Sequence, residues 1–261
     1  MSLSSSSARG PRLLAALALA GCGQTLVVGT DSPDGGSPGP ASLTQGLVAY
    51  WRLDDGPGVD RALDSSGRAD HAIPEAVSPS DWLAAGRIRG ALLFGNAGWL
   101  RGTDAASVDG IAGALSVDLW IRLGDREDRE QVIVQRQVGT GADAHFLLGL
   151  RLGRPALSGL NLARCEGPAL DVGRWIHLAV TFDGATERLL FDGQEVAACP
   201  GAGTFASDTT VVTVAGGQVG ASPFLVDRRL RAELDEVALW SRALAPEEIG
   251  ALAAGQVPPV P

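Results

Sequence analysis

From Leu115 to Leu123 the side chains alternate without a break: Leu115, Val117, Leu119, Ile121 and Leu123 are aliphatic, while Ser116, Asp118, Trp120 and Arg122 fall between them. A β-strand sends successive side chains to opposite faces, so a period of two makes one core face and one mixed face, which a helix of period 3.6 cannot do. The pattern returns in Ile176, Leu178, Val180 and Phe182, set against Trp175, His177, Ala179 and Thr181. Asp183-Gly184 and Asp192-Gly193 then follow at hairpin spacing, with Arg188 to Phe191 between them and Gln194 to Val196 beyond. Asp-Gly suits a tight reversal because Gly takes positive φ without a Cβ clash. Three consecutive antiparallel strands follow from this. Further strands are predicted at Leu47 to Leu53, Gly90 to Phe94, Gln131 to Gln135, His145 to Leu152, Thr210 to Val214 and Ala232 to Trp240. The one predicted helix is Pro246 to Ala253, with Pro at its first position and Glu247 and Glu248 in its first turn, although Ala245 is a poor N-cap. Many short strands and a single helix describe an all-β fold, a two-sheet antiparallel β-sandwich or jelly roll with one short C-terminal helix.

The first 45 residues belong to something else. Arg9 and Arg12 precede an apolar run from Leu13 to Ala20, the order of an export signal. Eight residues fall far short of the roughly 20 that cross a bilayer as a helix. The junction Leu19-Ala20-Gly21-Cys22 resembles the lipobox of bacterial lipoproteins, which implies residues 1–21 as signal peptide and lipidation of the Cys22 thiol. A plain signal peptide cut near Ala20 is the alternative. Gly23 is not the Asp associated with inner-membrane retention, which favours the outer membrane of a bacterial cell envelope. Residues 22–45, rich in Gly, Pro, Ser and Asp, read as a tether ahead of a domain spanning 46–257. The formal charge of −9 becomes −11 once Arg9 and Arg12 are removed, which argues against nucleic acid as a partner.

Five ordered blocks carry a wider resemblance. They are GLVAYWRLD from Gly46 to Asp54; DSSG from Asp64 with His71-Ala72; GRIRGALLF from Gly86 to Phe94; GRWIHLAVTFDG from Gly173 to Gly184 with LFDG ending at Gly193; and LDEVALWSRAL from Leu234 to Leu244 before PEEI at Pro246. Together they resemble the LamG-like domains of the concanavalin A-like jelly-roll superfamily over about four-fifths of the chain. The resemblance implies a sandwich whose first and last core strands pair, and a glycan or protein ligand; function itself depends on the site a fold carries. It also implies a calcium ion at one rim, for which Asp54, Asp55, Asp64 and Asp235 are the candidate ligands, with turn capping the alternative for Asp54 and Asp64.

Catalysis is not expected. Glu233-Leu234-Asp235-Glu236 is similar to the catalytic strand of the superfamily's glucanases, but Val237 and Ala238 stand where the second Glu is required. His71, His145 and His177 are far apart in sequence and are read as structural. Cys165 and Cys199 flank one meander and can form a disulfide in an exported protein, two buried thiols being the alternative. Trp51, Trp120, Trp175 and Trp240 lie within strand blocks and are expected to pack there, which leaves Trp82 and Trp99 as the aromatic ligand candidates. The expected function is a lipid-anchored, non-catalytic binding or adhesion module for glycan or protein. A structural module of the envelope or matrix and a degenerate glycoside hydrolase are the alternatives.

Overall fold

The computed structural model describes residues 40–95, 97–103, 106–137, 144–159, 162–203, 205, 211–216 and 228–260. The signal segment 1–21, Cys22 and most of the tether lie outside the described residues. Among those described, no helix is long and apolar enough to cross a membrane.

The strands form two antiparallel sheets. In the first, β13 (Gln194–Pro200), β12 (Thr186–Phe191), β11 (Trp175–Phe182), β6 (Leu115–Leu123), β15 (Ala232–Trp240), β4 (Gly90–Phe94) and β3 (Trp82–Ile88) lie in that order, and β1 (Leu47–Trp51) pairs with β15. In the second the order is β10 (Leu162–Glu166), β9 (Arg154–Gly159), β8 (Ala144–Arg151), β7 (Gln131–Gln137), β14 (Val212–Val214), β5 (Trp99–Arg101) and β2 (Ile73–Glu75). The expected pairing of first and last core strands is present, with Tyr50 opposite Ala238. Alternation dictates the core: Leu115 to Leu123 and Ile176 to Phe182 turn their aliphatic faces toward Val134, Leu148, Leu157, Val212 and Val214 of the facing sheet.

The opposite face of the first sheet is not left to water. Helix α3 (Pro246–Ala253), following α1 (Pro40–Leu43) and α2 (Ala106–Asp109) in the chain, lies on it. Leu244, Ile249 and Leu252 pack with Leu47, Tyr50, Ala179, Leu190 and Trp240 in a second apolar cluster. Ser116 and Asp118, expected on a half-exposed face, are therefore buried. Ser116 Oγ donates to the Arg242 carbonyl at 2.8 Å and accepts the Leu244 amide at 2.9 Å, so the polar strand position becomes the anchor of the helix approach. Ala245 offers no side-chain cap, but its amide donates to Glu248 Oε2 at 2.9 Å, supplying the bond from the other direction.

The expected boundary at Gly46 is too late. Leu43 is fully buried in the outer cluster, and Trp240 Nε1–H donates to its carbonyl at 2.8 Å. Arg242 donates to the Ser42 and Gln45 carbonyls while its guanidinium pairs with both Glu248 oxygens at 2.6 Å. Pro40–Leu43 is thus part of the folded unit. Its low apolar content by sequence hid the one residue, Leu43, that docks.

Cys165 and Cys199 form a disulfide with a Cα–Cα distance of 5.7 Å. It joins edge strand β10 of one sheet to edge strand β13 of the other and closes that side of the sandwich. Opposite Cys199 in the ladder stands Glu187, fully buried, with no well-formed hydrogen bond to either carboxylate oxygen. Burial pushes its carboxyl up to about 7, an effect that the nearby Cys165 amide offsets only in part.

Two outcomes follow. Closing a loop of 34 residues stabilises by about 3–4 kcal/mol in the loop-entropy model, so the Cys165→Ser/Cys199→Ser protein should lose about that much in a urea titration, and reductant should reproduce the loss. For Glu187 the unfolded carboxyl ionises near 4.5 and the folded one near 7. Its contribution to stability is complete below 4.5 and is lost as pH rises to about 7, amounting to about 3 kcal/mol. Glu187→Gln should remove that component from a plot of unfolding free energy against pH; an unchanged slope between pH 4.5 and 7 would show the group to be solvated.

Candidate functional site

After Trp51 the chain leaves β1 and turns beneath the β3–β4 hairpin. Two contacts fix that hairpin. Asp54 Oδ1 accepts the Gly90 amide at 2.8 Å, and Asp235 Oδ2 accepts the amides of Arg87 and Ile88, each at 2.8 Å. The turn is tight enough that Gly86 has no room for a side chain: a Cβ there would lie 1.9 Å from the Gly90 carbonyl oxygen and 2.7 Å from Asp235 Oδ2.

Asp235 is carried to this position by β15, which bulges between Asp235 and Ala238 with Glu236 at φ 55°. The bulge turns Glu236 toward Tyr50, whose hydroxyl donates to Oε2. Burial pushes both Asp235 and Glu236 up to about 7, against the amides that hold Asp235 and the phenol that holds Glu236. Burial and the neighbouring Glu236 also raise the Tyr50 phenol. These groups form a buried, hydrogen-bonded layer beneath the hairpin.

Above that layer opens a cavity of about 650 Å³. Trp82, itself largely buried, forms one wall, Pro57 and Ala84 add apolar surface, and Arg52, Asp54 and Arg89 supply the polar groups. Arg52 Nη2 donates to Asp54 Oδ2 at 2.7 Å, and Arg89 Nη1 stands 3.8 Å from the same oxygen with its side chain 70% exposed. An indole wall beside fixed donors and acceptors is the composition of a small-molecule pocket, and suits a ring that is apolar on its faces and hydroxylated at its edge.

Of the expected site residues, Asp54 and Trp82 meet in this cavity and Asp235 lies beneath it. Trp99 does not join them; it is half-buried on β5 of the other sheet, opposite Glu75. The four expected calcium ligands do not gather round one ion. Among the described residues no three His, Cys, Asp or Glu side chains form a cluster fit to hold a metal. Asp64 instead organises a turn, its two oxygens accepting the amides of Tyr50, Ser66 and Asp70 and the Ser66 hydroxyl, while His71 Nδ1 accepts the Asp64 amide. Asp55 accepts the Leu63 amide at 3.2 Å. The oxygens that calcium would need are mostly engaged by backbone donors.

His177 is buried 2.9 Å from Asp118 and edge-on to Trp120, a packing role. Glu233 is held by Arg122, and Asp235 by the hairpin amides. Sequence reasoning missed Arg52 and Arg89; a signal existed for Arg89 alone, which Gly86 and Gly90 bracket together with Arg87 in a tight turn.

A laminin G-type model described as the concanavalin A-like lectin/glucanases superfamily matches residues 94–250. No curated protein matches the chain. Among solved structures it is similar to domain 4 of AbnA, a GH43 extracellular arabinanase from Geobacillus stearothermophilus, in complex with arabinotriose (18% identity, TM-score 0.59, 79% of this chain and 98% of that one). It is similar also to the binding domain of Paraclostridial Mosquitocidal Protein 1 (13%, TM-score 0.62, 82% and 53%) and to that of botulinum neurotoxin DC in complex with SialylT (11%, TM-score 0.56, 82% and 52%). The chain therefore spans about half the length of the two toxin binding domains and nearly all of the arabinanase domain. With the fold, the ordered blocks and a family match over more than half of its length, the chain belongs to the concanavalin A-like lectin/glucanases superfamily.

Proposed function

We propose that this protein is a non-catalytic, lipid-anchored binding module of the bacterial cell envelope that recognises a glycan in the cavity beneath the β3–β4 hairpin. The observation that carries the reading is the meeting of Trp82 with Arg52, Asp54 and Arg89 around about 650 Å³ of preformed space. Support comes from two structures of the same fold, one in complex with arabinotriose and one with SialylT. Binding without hydrolysis is favoured because Glu233 and Asp235, the carboxylates nearest to a glucanase pattern, are engaged by Arg122 and by backbone amides. Anchoring rests on the lipobox at Cys22, and the outer membrane on Gly23 after it.

The glycan reading is tested with the chain carrying Cys22→Ser, on glycan arrays and by calorimetry, with Arg89→Asn as the variant. Asn tolerates the positive φ of 64° at this position, so the melting temperature should hold while affinity falls about tenfold, the loss of one charge-assisted contact. Equal affinity of the variant, or binding to proteins alone, would remove the glycan from this cavity. The anchor has its own test: labelled palmitate should be incorporated in the native chain and absent from Cys22→Ser, whereas a plain signal peptide predicts no label in either.

A further inference from the structure

The outer face of the first sheet is covered at one end by α3 and in the middle by the β3–β4 hairpin, but its remaining end is open. There Trp175, Arg122, Glu233 and Leu93 follow one another across β11, β6, β15 and β4 in direct register. Arg122, Glu233 and Leu93 border a cavity of about 560 Å³ that shares no lining residue with the hairpin cavity, and Trp175 stands beside it against Arg122.

Its polar groups are set in an unusual way. The Arg122 guanidinium lies 5.3 Å over the Trp175 ring, and its Nε and Nη2 both donate to the same carboxylate oxygen, Glu233 Oε2, the first at 2.8 Å. One-oxygen pairing leaves Arg122 Nη1 and Glu233 Oε1 without a hydrogen-bond partner among the described residues, a fixed donor beside a fixed acceptor. Phe94 and Leu123 lie behind them, and Arg231 and Asp125 stand at the rim. The rim is otherwise bare backbone: a Cβ built on Gly95, Gly124 or Gly173 meets nothing within 4 Å.

The charges decide what fits. Among the lining residues Arg122 and Arg231 balance Asp125 and Glu233, and Arg231 is itself paired with Glu127 at 2.9 Å, so the cavity carries no net positive charge in a chain of net charge −9. A phosphate or carboxylate would be set against Glu233 and Asp125, and an ammonium against the two arginines. A wholly apolar molecule would bury the free Nη1 and Oε1 without partners, at a desolvation cost. An uncharged sugar residue meets every condition. Of two adjacent hydroxyls, one accepts from Nη1 and the other donates to Oε1, while the carbon face lies against half-buried Leu93. Each hydroxyl is both donor and acceptor, so neither charged group need change its state.

We infer that this cavity is a second saccharide site, selective for an uncharged sugar bound through adjacent hydroxyls to the Arg122–Glu233 pair, and independent of the hairpin cavity. Two sites on one domain let it hold a polymer at two points, which raises avidity without a tighter site.

The six tryptophans make the two cavities separately observable through their indole ¹⁵N–¹H resonances, Trp175 reporting on this cavity through the Arg122 guanidinium over its ring and Trp82 on the other as part of its wall. The probes are arabinotriose, xylotriose, mannotriose and maltotriose, with trigalacturonate as the charged counterpart, each taken to tens of millimolar. At least one neutral trisaccharide should move Trp175, in the native chain and equally in Arg89→Asn, while trigalacturonate should not. Glu233→Gln should weaken that response at least tenfold. Gly124→Phe, which fills the cavity from a position with open space, should abolish it with the rest of the spectrum unchanged. Silence of Trp175 toward every neutral probe, a shift that survives in both variants, or a preference for trigalacturonate would overturn the inference. Movement of Trp82 alone would leave the hairpin reading standing and this one refuted, and movement of Trp175 alone would do the converse.

Discussion

The acceptance of two consecutive amides, Arg87 and Ile88, by the buried Asp235 carboxylate is the contact on which the surrounding architecture rests. It joins residues almost 150 positions apart, and a carboxylate accepting two N–H groups is among the stronger bonds a protein makes. Three local choices exist to permit it: the absence of a side chain at Gly86, the bulge at Glu236 that aims Asp235 outward, and the seat of Gly90 against Asp54. Remove the contact and β3 loses its reason to lie on the first sheet, since only Trp82 among its side chains is buried and its ladder with β4 is irregular. The hairpin cavity would lose one wall with it.

The strands that the sequence made legible were those with a strong period or an Asp-Gly turn. β6, β4 and β15 match their expected limits, and the β11–β12–β13 meander is as expected. β2, β3, β5, β9 and β10 were not foreseen. β2 and β5 are three residues long, β3 and β10 are edge strands, β9 carries Pro155 and Gly159, and β3 alternates poorly because only Trp82 faces the interior fully. Periodicity says that the two faces of a strand differ; it does not say whether both are covered. Asp118 and Ser116 read as solvent positions for that reason, and only the docking of α3 and the hairpin shows them to be interior.

The site was legible in residue types and illegible in partners. Trp82 stood out as an aromatic outside the strand blocks and Asp54 as a calcium-ligand candidate, and both line the cavity. Calcium ligation and turn capping draw on the same residue, Asp, and the sequence alone left both open at Asp54 and Asp64. At Asp64 the difference is now visible, because its oxygens accept from four protein donors, three in its own turn and one on β1. Arg52, Arg89 and the Arg122–Glu233 pair depend on which strands become neighbours, information that no local pattern holds. The disulfide was readable for the opposite reason: its two cysteines border a meander whose geometry the turns already dictated.

The lock formed by Leu43, Trp240 and Arg242 has a consequence for how such a domain sits in a longer polymer. The carbonyls of Ser42, Leu43 and Gln45 are bonded to side chains at 240 and 242, so the segment leading in and the segment leading out to α3 run side by side. A domain threaded end to end adds its own diameter to the distance its chain can cover. This one hangs from the chain like a pendant on a cord. Entry at Ser42 and Arg242, just past the end of β15, lie side by side, so the domain adds little contour between them. Tension applied between the two flanking segments would pass through Arg242, Glu248 and the short β1–β15 ladder, leaving the second sheet and both cavities outside the path of the force.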